Sequence, residues 1–167
     1  VHSISFMPGF GFAVAATTMV GQGLGARKPG QAEDHGYTAY RLGAALMSII
    51  GVGILLFPEQ LMSFFTNDPE VVAAGIMPLR IVGLVQPLVA AAMIFAGGLR
   101  GAGDTRYPMA ITGGSIWLLR VPLAYLLGLT AGWGLTGAWI AMSVDLGVRG
   151  ALNYLRYRSG GWKKIEV

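Results

Sequence analysis

Three ionisable side chains stand inside otherwise apolar stretches of this chain, and they are the residues with chemistry to offer. Arg120 lies within residues 109–129, and Asp145 and Arg149 lie within residues 136–155. An unpaired charge near the middle of a membrane span costs about 2.5–3.5 kcal/mol, so opposite charges at one depth are expected to pair. At about 1.5 Å of rise per residue, Arg120 stands about 18 Å and Asp145 about 16 Å from the same membrane face. Arg149 is one helical turn from Asp145 on the same helix face. The spacing therefore predicts an Arg120–Asp145 pair or an Arg120–Asp145–Arg149 cluster. Such a cluster either ties two helices together or takes part in gating or proton movement, and both readings stand open. Gln86, one residue before Pro87, is a further polar group at depth. It is either interhelical glue for a carbonyl that the proline frees or a polar contact in a cavity.

Nothing beside these residues suggests catalysis. There is no cysteine, and the two histidines, His2 and His35, stand far apart in sequence. No nucleophile–base pair or metal cluster accompanies Asp145, so no catalytic residue, no metal site and no enzyme activity are expected. GFGFAVAA and GLGARKPG lack the strand–turn–helix setting of a phosphate-binding loop, which argues against ATP as a direct energy source.

The elements that hold these residues must be membrane helices. The chain is 54% hydrophobic and only 12% charged, half of the roughly 25% usual in soluble domains. Its mean hydropathy is +0.59. Five apolar spans are expected, at about 4–22, 42–57, 71–99, 109–129 and 136–155, with a tail at 156–167. The class is all-α, a polytopic bundle. Pro78, Pro87 and Pro122 fall inside spans and should bend them. Asn67 or Asp68 followed by Pro69 is a helix start. Membrane lipid is therefore a partner.

Gly21 to Arg41 is the longest polar interval and reads as a basic loop, punctuated by Gly21, Gly23, Gly25, Pro29 and Gly30, with Gln31 to Tyr40 able to form a short helical approach to the next span. A second glycine-rich turn, GGLRGAGDTRYP, follows the third span. These two loops and the tail carry Arg27, Lys28, Arg41, Arg100, Arg106, Arg156, Arg158, Lys163 and Lys164, whereas the opposite loops carry no Lys or Arg. The positive-inside rule puts the glycine-rich side and the C-terminus in the cytoplasm. Basic residues scattered through loops in this way do not suggest nucleic acid. Five spans then leave Val1 outside, and the chain reads as a fragment whose preceding span is missing.

SFMPGFGFAVAATTMVGQGLGARKPGQA resembles the eighth spanning helix and following loop of multidrug and toxic compound extrusion (MATE) transporters. AGGLRGAGDTRYP and YLRYRSGGWK resemble the turn after the tenth helix and the C-terminal tail. The resemblance implies a twelve-helix fold in two six-helix lobes, of which this chain would be most of the C-terminal one, helices eight to twelve. It also implies antiport of cationic or amphipathic organic compounds against Na⁺ or H⁺ without other cofactors, and a missing N-terminal lobe and seventh helix as partners. The matching motif residues Gly21, Gln22, Gly25, Ala26, Arg100, Gly101, Ala102, Gly103 and Asp104 are loop-shaping positions. Residues 71–99 contain no acid, so no cation-site residue is carried over. A flippase for lipid-linked or polysaccharide precursors and a non-transporting scaffold subunit are the alternatives. Proline-broken spans with mid-membrane charges count against the scaffold.

Overall fold

Long apolar stretches that must satisfy their own backbone hydrogen bonds become helices, and the computed structural model, which describes residues 2–164, is built from them. Val1, expected on the outer side, lies outside the described residues, as do the last three residues of the tail. Helix α1 spans His2–Gly25, α2 Pro29–Leu56, the short α3 Pro58–Ser63, and α4 Pro69–Gly101. Helices α5 (Arg106–Ser115) and α6 (Val121–Tyr125) are joined and extended by wider π-helical turns, Ile116–Arg120 and Leu126–Thr130. Together they form one rod, Arg106–Thr130. Helix α7 spans Gly134–Arg158, and a 3₁₀ turn, Gly161–Lys164, closes the described chain. Among the described residues, α2, α4 and the rod are long and apolar enough to cross a membrane.

The helical approach expected over residues 31–40 lies within α2, and most of the glycine-punctuated part, expected as loop, is helix as well. Only residues 26–28 separate α1 from α2. The reversal is made by Arg27, held at φ 57°, and by Pro29, whose missing N–H costs nothing at the first helical position. A Cβ on Gly23 would meet that of Ala32 at 2.8 Å, so a bare glycine lets the two helix ends close. The start of α4 agrees with expectation: Asp68 accepts a hydrogen bond from the Glu70 amide at 2.9 Å, and Pro69 follows it. Helix α4 runs unbroken through Pro78 and Pro87.

Helix α4 is the centre of the bundle and packs against α1, α2 and α7. Its closest approaches are made at small residues, which let backbones come together where lipid offers no hydrophobic drive. A Cβ on Gly97 would sit 2.4 Å from the Ala13 carbonyl oxygen, and one on Gly101 would sit 2.1 Å from that of Thr17. Between these glycines the Thr17 hydroxyl donates to the Gly97 carbonyl at 2.9 Å. On the α2 side, a Cβ on Gly51 would meet the Gly83 carbonyl at 2.4 Å. That carbonyl is the one Pro87 deprives of its helical partner, since proline has no N–H to return to position i−4. Ile94, Phe95 and Leu99 of α4 fill the core, while other large apolar side chains point outward, among them Leu84 at 72% and Leu118 at 82% exposure, as a lipid-facing surface requires.

Candidate functional site: a polar face on α7 and a C-terminal clasp

Asp145, Arg149 and Asn153 recur every fourth residue, so α7 presents them on one face. Asp145 is fully buried and is paired with Arg149, whose side chain is largely buried too. Asn153 donates through Nδ2 to the Ala92 carbonyl of α4 at 3.3 Å. Each of the three keeps a buried polar atom that has no partner among the described residues: Asp145 Oδ1, Arg149 Nε and Asn153 Oδ1. Arg149 and Asn153 border a cavity of about 290 Å³ between α1, α4, α5 and α7. Its apolar wall includes Phe6, Phe10, Met93 and Leu146, and Arg100 of α4 lines it as well.

Arg120 does not join this pair. It ends the first π-helical turn, is half-buried, and forms no ion pair among the described residues. The depth estimate assumed a regular α-helix. Instead the Val121 amide bonds back five residues to the Ile116 carbonyl, and Pro122 brings no amide to the turn. A π turn holds more residues than an α turn, so the faces beyond it are rotated away from α-helical counting. Arg149, one turn from Asp145 on the same helix, reaches it without any interhelical approach.

Gln86 is buried against α2, where a Cβ on Gly51 would lie 3.0 Å from its Cγ. Its Oε1 has no partner, and Gln86 is not among the residues bordering the α7 cavity.

The motif glycines fall into two groups. Gly21 and Gly101 sit at the α1–α4 crossing, where a Cβ on Gly21 would approach the Gly101 carbonyl to 3.0 Å. Gly25 has open space around it, and Gln22 and Ala26 are exposed. Gly103 adopts φ 81° in the turn after α4, while Ala102 beside it is fully buried. Asp104 does more than shape a loop. It is nearly buried and accepts a hydrogen bond from Arg156 Nε at 2.8 Å, with the Arg156 guanidinium over the Tyr107 ring at 5.1 Å.

The tail holds the residues that sequence reasoning missed. Tyr157 and Trp162 are fully buried and stack with ring centroids 4.8 Å apart. The Tyr157 hydroxyl donates to the Ala32 and Glu33 carbonyls of α2 at 3.1 and 3.2 Å. Trp162 Nε1 donates to the Tyr157 carbonyl at 2.6 Å, and Lys163 is paired with Glu33. Burial first, and then the Glu33 carboxylate, push the Tyr157 phenol well above its ordinary pKa, so it remains a donor. The three stretches singled out by their glycines and basic residues thus converge in space: the α1–α2 turn, the α4–α5 turn and the tail close into one clasp.

The sequence profile of the MatE family matches residues 1–126. This chain belongs to the MatE family. The match agrees with the resemblance read from the glycine motifs, and the all-helical MATE-type bundle agrees with the expected fold class. The chain is 40% identical over its whole length to a probable multidrug resistance protein NorM of Thermotoga maritima, of which it spans 36%. It is 36% identical over 93% of its length to the multidrug resistance protein MdtK of Yersinia pseudotuberculosis, covering 35% of that protein. It spans, then, about a third of the length of these MATE relatives. Among solved structures it superposes on the MATE transporter ClbM in complex with Rb⁺ with a TM-score of 0.87 at 20% identity, covering 98% of this chain and 39% of that one. An inward-facing MATE transporter of the MOP superfamily gives a TM-score of 0.81 at 20% identity, over 91% of this chain and 36% of that one. These two likenesses concern the fold.

Proposed function

We propose that this chain supplies one lobe of a secondary transporter that exports amphipathic organic compounds, cationic drugs among them, in exchange for Na⁺ or H⁺. The observation that carries this reading is a membrane-type helix bundle of the MatE family, similar along its whole length to multidrug resistance proteins, with a cavity framed by α1, α4, α5 and α7. Alternating access moves one bundle against another around a site between them. A single lobe therefore needs its counterpart, and residues 1–167 by themselves should confer no drug resistance. The lobe lies in a bacterial inner membrane with its clasp and C-terminus in the cytoplasm, because the basic residues gather on that side.

The test is a chimera in which residues 1–167 replace the matching segment of the Thermotoga NorM. A chimera that reaches the membrane at wild-type abundance should restore efflux to drug-sensitive cells. Normal abundance without efflux would overturn the reading.

A further inference from the structure

Helices α2 and α7 each pack along α4 and leave a groove of about 380 Å³ between them. Tyr40 of α2, Leu88, Ala91 and Phe95 of α4, and Ala151 and Tyr154 of α7 border it. Gly147 and Gly150 complete the α7 wall, and no Asp, Glu, Lys or Arg lines the groove. Gly150 is seated directly on α4, where a Cβ would lie 3.0 Å from the Leu88 carbonyl oxygen. The α7 wall is therefore built from small residues, and the space they leave suits hydrocarbon.

Polar groups gather at the end of the groove next to the clasp. Tyr37, Tyr40 and Tyr154 surround Phe95, with ring centroids 6.0, 4.7 and 5.3 Å from its own, and Tyr37 meets Tyr154 edge-on at 6.5 Å. All three tyrosines are half-buried, and their hydroxyls make no hydrogen bond among the described residues. They stand at the ends of the apolar stretches 42–57 and 136–155, the depth at which an aromatic ring keeps its body in hydrocarbon and its hydroxyl toward headgroups. Arg41 is one helical turn from Tyr37, and Arg158 is one turn from Tyr154. Both arginines are exposed and have no ion-pair partner among the described residues, and the Arg158 charge acts on the Tyr37 phenol. Of the acids in this region, Glu33 is taken up by Lys163, which leaves Asp34 against two guanidiniums. The rim is net positive.

We infer that this groove holds an anionic phospholipid, with an acyl chain along Leu88, Ala91 and Ala151 and its phosphate on Arg158 and Arg41, where the Tyr37 and Tyr154 hydroxyls donate to it. Apolar walls alone would accept any lipid, and the charged rim is what selects the anionic one. A zwitterionic phospholipid brings the same chains and phosphate together with a cation that the two guanidiniums repel. The bound lipid joins α2 to α7 beside the clasp. This site goes beyond the efflux reading and does not depend on it.

The test titrates residues 1–167 in mild detergent with dioleoylphosphatidylglycerol or dioleoylphosphatidylcholine, which share their chains, and reads the lipid-bound fraction by native mass spectrometry. The phosphatidylglycerol should bind at least about tenfold more tightly, since each basic residue beside an anionic headgroup contributes about fivefold. Arg41 and Arg158 are exposed and unpaired, so their replacement leaves the packing intact. R41Q/R158Q should bring the two lipids within about twofold of each other, and R41K/R158K should keep the preference. R106Q removes an exposed charge at the start of α5, outside the groove, and should leave the preference unchanged. A151F, at an exposed position, fills the groove and should weaken both lipids. Equal binding of the two lipids, an unchanged preference in R41Q/R158Q, or a loss in R106Q as large as in that double variant would each overturn the inference. Retention of neither lipid would overturn it as well, and would leave the groove to another protein surface.

Discussion

A Cβ on Gly36 would lie 2.0 Å from the Tyr157 hydroxyl oxygen. The bare Gly36 backbone on α2 is the notch into which the last turns of α7 insert their phenol, and the clasp depends on it. G36A should destabilise the lobe by about 1–3 kcal/mol through overpacking. Y157F in the same chain should recover part of the loss, because the closest clashing atom is gone. Thermal unfolding of the two single variants and the double variant in detergent checks the coupling, and strictly additive effects would break it.

The glycines of the repeated motifs should divide by position. G101A places a methyl group 2.1 Å from the Thr17 carbonyl oxygen, part of a backbone that cannot swing aside, and should cost about 1–3 kcal/mol. G25A meets nothing within 4 Å and should be neutral or stabilising by up to about 1 kcal/mol. Melting temperatures of the two variants decide it, and equal losses would show that both glycines serve one role.

Asp145 and Arg149 should behave as a unit from which Arg120 is absent. R149M leaves a buried carboxylate without its countercharge and should cost about 3–5 kcal/mol. D145N in the same chain should recover much of that, while R120Q should change stability little. Membrane abundance and thermal unfolding provide the measurement. Rescue of an Arg120→Asp change by Asp145→Arg would instead restore the interhelical pair expected from spacing.

Sidedness is open to labelling because the chain has no cysteine. Single cysteines at Ala26, Thr105 and Ser159 should be shielded from impermeant thiol reagents in intact cells, and those at Ser63 and Thr130 should react. All five positions are exposed. Ala102, in the same turn as Thr105, is fully buried, and a cysteine there would resist labelling on either side. The reverse pattern would invert the lobe.

What was legible in the sequence follows from how local each cause is. The Asp68–Pro69 helix start and the Asp145–Arg149 pair are settled within one turn of helix, and both could be read directly. The Gly21–Gly30 stretch was misread as loop because its glycines and Pro29 look like loop punctuation, whereas tertiary packing uses Gly23 as a point of close approach inside a helix. Arg120 was misplaced because side-chain spacing carries no mark of a π turn. Trp162 sat in a basic tail that reads as exposed, and only its stacking on Tyr157, itself held by the carbonyls of α2, explains its burial.

The two π-helical turns have a mechanical meaning. From Ile116 to Thr130 the rod has no buried residue, and its hydrogen bonds run in wide, irregular loops, with the Ala131 amide reaching back to Leu126 and the Trp133 amide to Leu127. The α1–α4 crossing is fixed by backbones that touch along its length, whereas the rod meets α7 in this way at its far end, where a Cβ on Gly137 would lie 2.6 Å from the Leu127 carbonyl. With no buried residue between Ile116 and Thr130, this segment is expected to open locally more readily than α4, whose core side chains are buried.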